Sequence, residues 1–283
     1  MGLVFVYGTL RQGEQYHHLL GGSGLFSAQA QVKGRLEDTG LGYPVLIEGE
    51  GRVAGELYEI TEAVLKRLDE LEDYYGPDDE RNEYERIRAE ASTDNGKVES
   101  WLYVYRHARR HNAIPEGDWK LYRLKQAENL LYFAYGSCMD LQRIEQAGRE
   151  GCFSGEEGRG VLEGFGVAFT LPLADGGRAD LVERAGRAEG KLYRITRECL
   201  ENYLYAREGV EEGLYRPAVV RVQRGNGASE DAVVFVVADK KAETAPPAHY
   251  MQEILRGARP VVSAGYYAAL EKRFRMEFGY CDI

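Results

Sequence analysis

An internal repeat constrains this chain more than any other feature. Residues 55–61 read GELYEIT and residues 190–196 read GKLYRIT, which gives five identities in seven positions at an offset of 135. Upstream, LVFVYGTL at 3–10 matches LYFAYGSCM at 131–139 in the same order. Two matches in register indicate two diverged copies of one small fold.

The chain length agrees with a duplication. A total of 283 residues fits two compact domains of roughly 100–200 residues each. We predict domains at 1–126 and 127–283, with the boundary in the polar stretch near Gln126. The second copy is longer because a C-terminal extension follows it, with helical patterns at 249–257 and 266–274.

Each copy has the pattern of a mostly β fold with one central helix. Thr61 and Thr196 are good N-cap residues, and each is followed by a helical stretch with an acid in its first turn. We predict that the first helix ends near residue 75, before Gly76, and the second near 208, before Gly209. Strands rich in β-branched and aromatic residues are predicted at 84–88, 101–105, 217–222 and 233–237. The predicted fold class is α+β, with each copy a small mixed β-barrel.

Charge and composition exclude several classes of protein. The formal net charge of -10 disfavours general nucleic-acid binding. The longest strongly apolar run, at 232–238, is far shorter than the roughly 20 residues of a membrane helix. The N-terminus lacks a basic leader before its short apolar run, so we expect a cytoplasmic protein. From the charge and the short apolar run we expect neither a nucleic-acid nor a membrane partner. The four cysteines and five histidines show no metal-ligand spacing, and we expect neither a metal site nor a disulfide framework.

The first predicted helix carries a carboxylate on its apolar face. At about 100° per residue, Glu72 falls between the directions of Leu68 and Leu65. A buried Glu has a raised pKa, which suits proton transfer near neutral pH. The alternative is a Glu at the rim of the stripe whose carboxylate reaches water, and periodicity leaves both open. The apolar stripe comprises Val64, Leu65, Leu68, Leu71 and Tyr75.

The second copy offers Glu208 as the counterpart. Periodicity places it about 40° off the apolar face, so its case depends on the repeat. Glu72 lies 17 residues beyond Gly55, and Glu208 lies 18 beyond Gly190.

A Tyr-Gly loop follows the first strand of each copy. Glycine permits close approach of the backbone to a ligand, and consecutive N–H groups can bind a carboxylate or an oxyanion. A simple hairpin turn is the alternative for either loop taken alone. The candidate substrate-binding residues are Tyr7, Gly8, Thr9 and Leu10 in the first copy and Tyr135, Gly136, Ser137, Cys138 and Met139 in the second.

These motifs resemble the γ-glutamylcyclotransferase superfamily. The first copy resembles its AIG2-like branch and the second resembles γ-glutamylcyclotransferase proper. In the first copy the resemblance runs through Tyr7 to Arg11, Gly34 to Leu36, Tyr43-Pro44, Val53 to Tyr58, Leu68 to Tyr74, Tyr84, Arg86, Trp101, Tyr103 and Gly117 to Trp119. In the second copy it runs through Tyr135 to Ser137, Phe169, Ala179 to Val182, Gly190 to Tyr193, Glu208-Gly209 and Tyr215-Arg216.

The resemblance implies a β-barrel-like α+β fold, no cofactor and an intramolecular reaction on a small γ-glutamyl substrate. In that family the α-amine of a γ-glutamyl group attacks its own γ-carbonyl, which forms 5-oxoproline and releases an amine or amino acid. It implies that Glu72 and Glu208 are catalytic and that the Tyr-Gly loops bind the γ-glutamyl group.

The second copy departs from the pattern at two positions. Cys138 stands where that branch has Asn, and Tyr205 stands where the helix motif has Asp. The sequence therefore leaves two functions open, a cyclotransferase active in one or both copies and a partly degenerate module that binds a γ-glutamyl-like ligand without turnover. It does not identify the leaving amine.

Overall fold

The structure is a computed structural model and describes residues 2–107 and 111–281 of the chain. Contacts between Cα atoms divide the chain into two compact units, Met1–Arg123 and Leu124–Ile283. The boundary that the repeat predicts, at Gln126, lies in the turn that follows helix α2 (Trp119–Leu124).

The first unit contains one six-stranded sheet. Its strands are β1 (Gly2–Val6), β2 (Gly24–Asp38), β3 (Pro44–Ile60), β4 (Tyr84–Thr93), β5 (Gly96–Tyr105) and β6 (Asn112–Ala113). They are arranged in the order β3-β1-β5-β4-β2-β6, and β2 also pairs with β3. Five strands therefore pair in a closed cycle. The pairing of β1 with β5, through Val4 and Trp101, is parallel.

The second unit is a closed barrel with the same connectivity. Its strands are β7 (Asn129–Ala134), β8 (Gly155–Leu173), β9 (Gly176–Thr196), β10 (Tyr215–Arg224) and β11 (Ser229–Val237). They pair in the order β10-β11-β7-β9-β8, and β7 is parallel to β11 through Tyr132 and Val233. Strands β7 to β11 thus correspond to β1 to β5, which confirms the predicted tandem α+β fold and the four predicted strands.

The repeated Gly-x-Leu-Tyr motif has a packing explanation. A Cβ atom on Gly55 would lie 2.4 Å from the carbonyl oxygen of Val6, and one on Gly190 would lie 2.3 Å from that of Ala134. No side chain fits at either place, because the glycine of one strand touches the backbone of its neighbour. The motif is therefore kept in both copies by the close contact of β3 with β1 and of β9 with β7.

One helix in each unit leads to the predicted catalytic glutamate. In the first unit it is α1 (Glu62–Leu71). In the second, α4 (Arg197–Cys199), a π-helical turn (Leu200–Leu204) and α5 (Tyr205–Arg207) follow one another without a break. The N-cap hydroxyls of Thr61 and Thr196 accept from the N–H groups of Val64 and Cys199, as predicted. Three further helices belong to the second unit, α3 (Leu141–Gln146), α6 (Ala248–Ala258) and α7 (Ala264–Phe278).

The predicted end of the first helix is wrong. Helix α1 ends at Leu71, with Glu72 as its C-cap, and Asp73 follows with a left-handed φ of 46°. Tyr75 is 55% exposed and is therefore not part of the apolar stripe. The stop at Gly209 in the second unit is confirmed, since this glycine has a φ of 61° directly after Glu208.

The C-terminal extension packs on the second unit. Helix α6 lies against the loop after β7, where a Cβ on Gly257 would be 2.5 Å from the backbone carbon of Met139. Helix α7 places Phe274 beside Phe169, with ring centroids 5.8 Å apart. In the described part of the chain, no helix has both the length and the apolar character to cross a membrane.

Candidate active site

The first unit contains a cavity of about 230 Å³ where the Tyr-Gly loop meets the end of α1. This first cavity is lined by all five residues that the sequence predicts for this copy: Tyr7, Gly8, Thr9, Leu10 and Glu72. It also brings in residues that were not predicted as site residues, among them Pro44, Leu71, Glu83, Tyr84 and Tyr103.

The backbone of the loop after β1 is fixed while its N–H groups stay unused. The hydroxyl of Tyr7 donates to the carbonyl of Tyr103 at 3.1 Å, and the N–H of Arg11 donates to the carbonyl of Gly8 at 3.1 Å. Within the described residues, the N–H groups of Gly8, Thr9 and Leu10 donate to no protein acceptor. Such a turn can receive a carboxylate or an oxyanion.

Packing against Pro44 also favours glycine at position 8. A Cβ at this position would lie 2.8 Å from Cγ of Pro44, so the glycine allows the loop to pass the start of β3. Close approach of a ligand to this glycine stays a prediction.

A buried ion cluster anchors the loop from behind. Arg11 is 1% exposed, and its guanidinium binds Glu56 at 3.2 Å and Asp118 at 2.7 Å. The second carboxylate oxygen of Glu56 accepts from the N–H of Gln12 and from the hydroxyl of Tyr58, each at 2.8 Å. Because every charge in the cluster is paired, the loop is held in one conformation.

Glu72 lies at the cavity as the C-cap of α1. Its N–H donates to the carbonyl of Leu68 at 2.9 Å, and its carboxyl has no hydrogen-bond or ion-pair partner among the described residues. Burial, the charge of Glu83 and the charge of Asp73, in that order, raise its pKa from 4.5 to about 8. A carboxyl with such a pKa exchanges protons near neutral pH.

A polar cluster lies behind Glu72. Asp69 accepts from Arg86 at 2.7 Å and from the hydroxyl of Tyr103 at 2.7 Å. The hydroxyl of Tyr84, in contrast, donates to no described protein group, although its ring is buried and lines the cavity. Tyr84 is thus a candidate to bind a ligand.

The second unit has the corresponding cavity, of about 160 Å³. This second cavity is lined by five of the six residues predicted for this copy: Tyr135, Gly136, Ser137, Cys138 and Glu208. The structure does not place Met139 there, because its backbone and Cβ pack against Gly257 of α6. Helix α6 instead contributes Tyr250 to the lining.

The two Tyr-Gly loops have two hydrogen bonds in common, one from the tyrosine hydroxyl and one that closes the turn. The hydroxyl of Tyr135 donates to the carbonyl of Phe235 at 2.6 Å, as Tyr7 does to Tyr103. The N–H of Met139 donates to the carbonyl of Gly136 at 3.0 Å, as Arg11 does to Gly8. The two loops therefore correspond at the tyrosine and at the turn that follows it.

Glu208 differs from Glu72 because it has a cationic partner. Its carboxylate lies 3.2 Å from Nε of Arg207 and 3.7 Å from Sγ of Cys138. The guanidinium of Arg207 also donates to Cys138 at 3.2 Å and to Ser137 at 3.3 Å. Burial raises the pKa of Glu208, and the charge of Arg207 opposes that rise.

The π-helical turn explains the extra residue before Glu208. Glu72 and Glu208 are both C-caps, and the N–H of Glu208 donates to the carbonyl of Leu204 at 2.9 Å. Counted from the N-caps Thr61 and Thr196, however, the helices differ by one residue. A π turn takes up one extra residue within a helix. Periodicity at 100° per residue throughout does not include this turn.

The polar cluster behind Glu72 is replaced as a whole in the second unit. Strand pairing puts Arg86 opposite Tyr103 in the first unit and Pro217 opposite Phe235 in the second. Tyr205, at the position of Asp69, packs on Phe235 with ring centroids 6.1 Å apart. All three polar groups have apolar or aromatic counterparts.

Alignment of the two copies carries the signal for some of the missed residues. Arg207 directly precedes Glu208, where the first copy has Leu71 before Glu72. Glu83 and Leu214 each precede the tyrosine that begins β4 or β10.

Comparison with known proteins agrees with the duplicated architecture. A family model described as "Gamma-glutamyl cyclotransferase, AIG2-like" matches residues 4–121, and one described as "AIG2-like family" matches residues 187–270.

Two relatives and one solved structure extend this result. "Putative gamma-glutamylcyclotransferase YkqA" of Bacillus subtilis is 40% identical over 276 residues, which is 95% of this chain and 96% of the relative. "Gamma-L-glutamyl-butirosin B gamma-glutamyl cyclotransferase" of Niallia circulans is 44% identical over 129 residues, which is 45% of this chain and 81% of that protein. The crystal structure of YkqA superposes with a TM-score of 0.85 at 39% identity and covers 97% of this chain and 98% of that one. Matched along nearly its whole length, and by a family model in each half, the chain belongs to the γ-glutamylcyclotransferase superfamily as a tandem protein.

Proposed function

We propose that the protein is a γ-glutamylcyclotransferase in activity, which converts a γ-glutamyl amino acid, peptide or amine to 5-oxoproline and the free amine. The observation that supports this most directly is Glu72, a carboxyl with a pKa of about 8 in a cavity beside unused loop N–H groups. The names of the relatives agree with the reaction type. We further propose that 1–126 and 127–283 act as separate domains.

The chemistry requires little from the protein beyond orientation and proton transfer. The α-amine nitrogen attacks the γ-carbonyl carbon, the new C–N bond closes a five-membered ring, and the bond to the leaving nitrogen breaks. The two protons that the α-ammonium loses equal the two that the leaving nitrogen gains. Because nucleophile and electrophile are tethered, folding the chain into a reactive conformer supplies much of the acceleration.

We assign the groups of the first cavity as follows. Glu72 takes a proton from the α-ammonium and returns it to the leaving nitrogen, and it moves the second proton in the same way after the ring has closed. The N–H groups of Gly8, Thr9 and Leu10 bind the substrate carboxylate or the developing oxyanion. The hydroxyl of Tyr84 is a donor, because burial together with the charges of Tyr7 and Glu72 raises its pKa and keeps it protonated.

For the second cavity, binding without turnover is the competing function. The specific observation is the contact of Glu208 with Arg207 and Cys138, which occupies the carboxylate that would have to transfer protons. A group that already holds a salt bridge is a weaker base for the substrate.

Glutamine substitutions separate these possibilities. We expect Glu72→Gln to lower 5-oxoproline release from a panel of γ-glutamyl conjugates by about 10²–10⁴-fold, the usual contribution of a general acid–base group. Glu208→Gln should have a smaller effect if the second cavity only binds, and the double variant should then match Glu72→Gln. Release of 5-oxoproline is measured by chromatography.

Two outcomes would contradict the proposal. Wild-type protein that forms no 5-oxoproline from any γ-glutamyl conjugate would exclude the activity. Full activity of the double variant would show that neither glutamate is the proton carrier.

The raised pKa of Glu72 also predicts how stability depends on pH. The fold disfavours the charged form, so ionisation of Glu72 costs stability as pH rises from its model-compound pKa of 4.5 towards about 8. Glu72→Gln has no such cost, and its advantage in unfolding free energy should grow between pH 5 and pH 9. Tryptophan fluorescence in urea reports this, because Trp101 and Trp119, the two tryptophans of the chain, both lie in the first unit. An advantage that does not change with pH would refute the assignment.

A further inference from the structure

The first cavity holds one carboxyl group more than the proposed reaction uses. Glu72 and Glu83 both line it, and its described lining contains no lysine, arginine or histidine. The carboxylate of Glu83 has no hydrogen-bond or ion-pair partner among the described residues. A partly buried, unpaired carboxylate at a ligand cavity is costly unless a ligand supplies the opposite charge.

The backbone around Glu83 is held on both sides. Its N–H donates to the carbonyl of Asp73 at 3.2 Å, and its carbonyl accepts from the N–H of Arg106 at 3.2 Å. The preceding Asn82 is fully buried, and its amide binds the N–H of Tyr75 at 2.8 Å and the carbonyl of Gly76 at 2.7 Å. The backbone that carries Glu83 is therefore fixed at the cavity wall.

The second unit has the same backbone with an apolar side chain. The N–H of Leu214 donates to the carbonyl of Gly209 at 2.9 Å, and its carbonyl accepts from the N–H of Ala238 at 3.0 Å. Leu214 lines the second cavity as Glu83 lines the first. The residue directly before the catalytic glutamate shows the reverse exchange. It is the apolar Leu71 in the first unit and the charged Arg207 in the second. The first cavity therefore gains a carboxylate at Glu83, whereas the second is lined by the arginines Arg143, Arg178 and Arg207.

We propose that Glu83 is a specificity-determining residue of the first cavity that contacts a positive charge on the leaving amine. The first cavity would then prefer γ-glutamyl conjugates of diamines, polyamines or other amines with a second cationic group. The inference depends on the proposed function for its substrate. The γ-glutamyl group itself supplies one ammonium, and once Glu72 has taken its proton no cation of that group remains for Glu83.

Three conjugates of nearly equal length test the proposal. They are the γ-glutamyl amides of 1,5-diaminopentane, hexylamine and 6-aminohexanoic acid, whose leaving amines end in an ammonium, a methyl and a carboxylate. With Glu208→Gln as the parent, we expect kcat/KM to be about tenfold higher for the diamine conjugate than for the hexylamine conjugate. The carboxylate conjugate should be the poorest of the three, and 0.5 M salt should reduce the preference because it screens partly exposed charges.

The matched variants are Glu83→Leu, which introduces the residue of the second unit, and Glu83→Gln, which keeps the shape. In both variants, kcat/KM for the diamine conjugate should be about equal to kcat/KM for the hexylamine conjugate. The ratio of the two kcat/KM values is the readout. A general defect, including a shifted pKa of Glu72, lowers kcat/KM for both conjugates by the same factor and leaves the ratio unchanged. An unchanged ratio in both variants would overturn the proposal. Equal losses for all three conjugates would do so too, since they would place Glu83 on the α-ammonium.

Binding measured by calorimetry tests the charge preference of Glu83 independently of the proposed cyclotransferase activity. Dissociation constants of the three conjugates are measured on Glu72→Gln/Glu208→Gln protein, with and without Glu83→Gln. If wild-type protein turns over none of the conjugates but the diamine conjugate binds more tightly in a Glu83-dependent way, the activity fails and the charge preference stands. Equal binding of all three conjugates, or no binding, would overturn the charge preference.

Discussion

The two units hold the same Tyr-Gly loop in different ways. In the first, the loop is anchored by the buried cluster of Arg11, Glu56 and Asp118. In the second, Met139 stands at the position of Arg11 and Lys191 at that of Glu56, and helix α6 packs against the loop. The hydrogen bond that closes the turn, from the N–H of Arg11 or Met139 to the carbonyl of Gly8 or Gly136, is nevertheless the same in both loops. The same turn can therefore form over different buried side chains, provided that each buried charge keeps a partner.

The comparison also indicates that the C-terminal extension anchors the Tyr-Gly loop of the second unit. Lys191 pairs with Glu156 at 2.6 Å, so it contributes nothing equivalent to the bond between Glu56 and Arg11. Arg256 of α6 instead binds Asp140, with Nε 2.9 Å from Oδ1. The extension replaces the anchor that the first unit builds within its own barrel.

The largest expected effect comes from breaking the ionic anchor. Arg11→Met introduces the residue of the second unit without its helix and leaves Glu56 and Asp118 buried without their cation. We expect the first unit to lose about 3–5 kcal/mol in unfolding free energy, the usual cost of removing one partner from a buried ion pair. Tryptophan fluorescence in urea measures it.

The control for this variant is Arg52→Met, which removes an exposed arginine from β3 and should change stability by less than about 0.5 kcal/mol. A loss of under 1 kcal/mol for Arg11→Met would show that the cluster is not the anchor.

The next effect separates the two glutamate-bearing helices. Deleting exposed Lys66 from α1 turns one end of that helix by about 100° relative to the other, which displaces Leu68 or Glu72. We expect a cost above about 2 kcal/mol in the first unit and loss of its activity. Deleting exposed Asn202 shortens the π-helical turn to an α-helical one and should cost less than about 1 kcal/mol in the second unit.

Hydrogen–deuterium exchange of peptides from each unit measures both deletions in the full chain. Similar losses of protection in the two units would mean that the π turn does not hold the extra residue.

The smallest effect distinguishes two glycines of the extension. A Cβ on Gly257 would lie 2.5 Å from the N–H nitrogen of Asp140, whereas one on Gly265 would meet nothing within 4 Å. Gly257→Ala should therefore destabilise the second unit by about 1–3 kcal/mol. Gly265→Ala should stabilise it by about 0.5–1 kcal/mol, because alanine is the better helix former. Thermal unfolding followed by circular dichroism tests the two signs, and equal shifts would refute the anchoring role of α6.

The sequence was informative where the repeat and local patterning agree. The strands, the N-caps Thr61 and Thr196, and the tandem α+β fold all follow from motifs that occur twice. The Gly-x-Leu-Tyr motif was recognisable because contact with a neighbouring backbone allows glycine alone at its first position.

Where prediction failed, the decisive interactions were not local. Gly76-Pro77 suggested a helix end near residue 75, but Asp73 adopts the left-handed conformation that usually selects glycine. The π turn has no signature in a single sequence, so periodicity could not account for the extra residue before Glu208. The placement of Met139 depends on α6, more than 100 residues further along the chain.

Glu83 and Tyr84 were missed as site residues for a similar reason. Pairing of β4 with β5 and the loop after Glu72 bring them to the cavity, and their own sequence surroundings look like an ordinary strand start.

The exchange of Asp69, Arg86 and Tyr103 for Tyr205, Pro217 and Phe235 has a consequence for the history of the gene. The three members of each cluster are encoded in separate segments. Copying one segment from one half of the gene into the other would leave Asp69 without its guanidinium, or put an arginine opposite Phe235 with no carboxylate to pair with it. Gene conversion between the halves is therefore penalised at the protein level, and this barrier lets the two copies diverge within one reading frame.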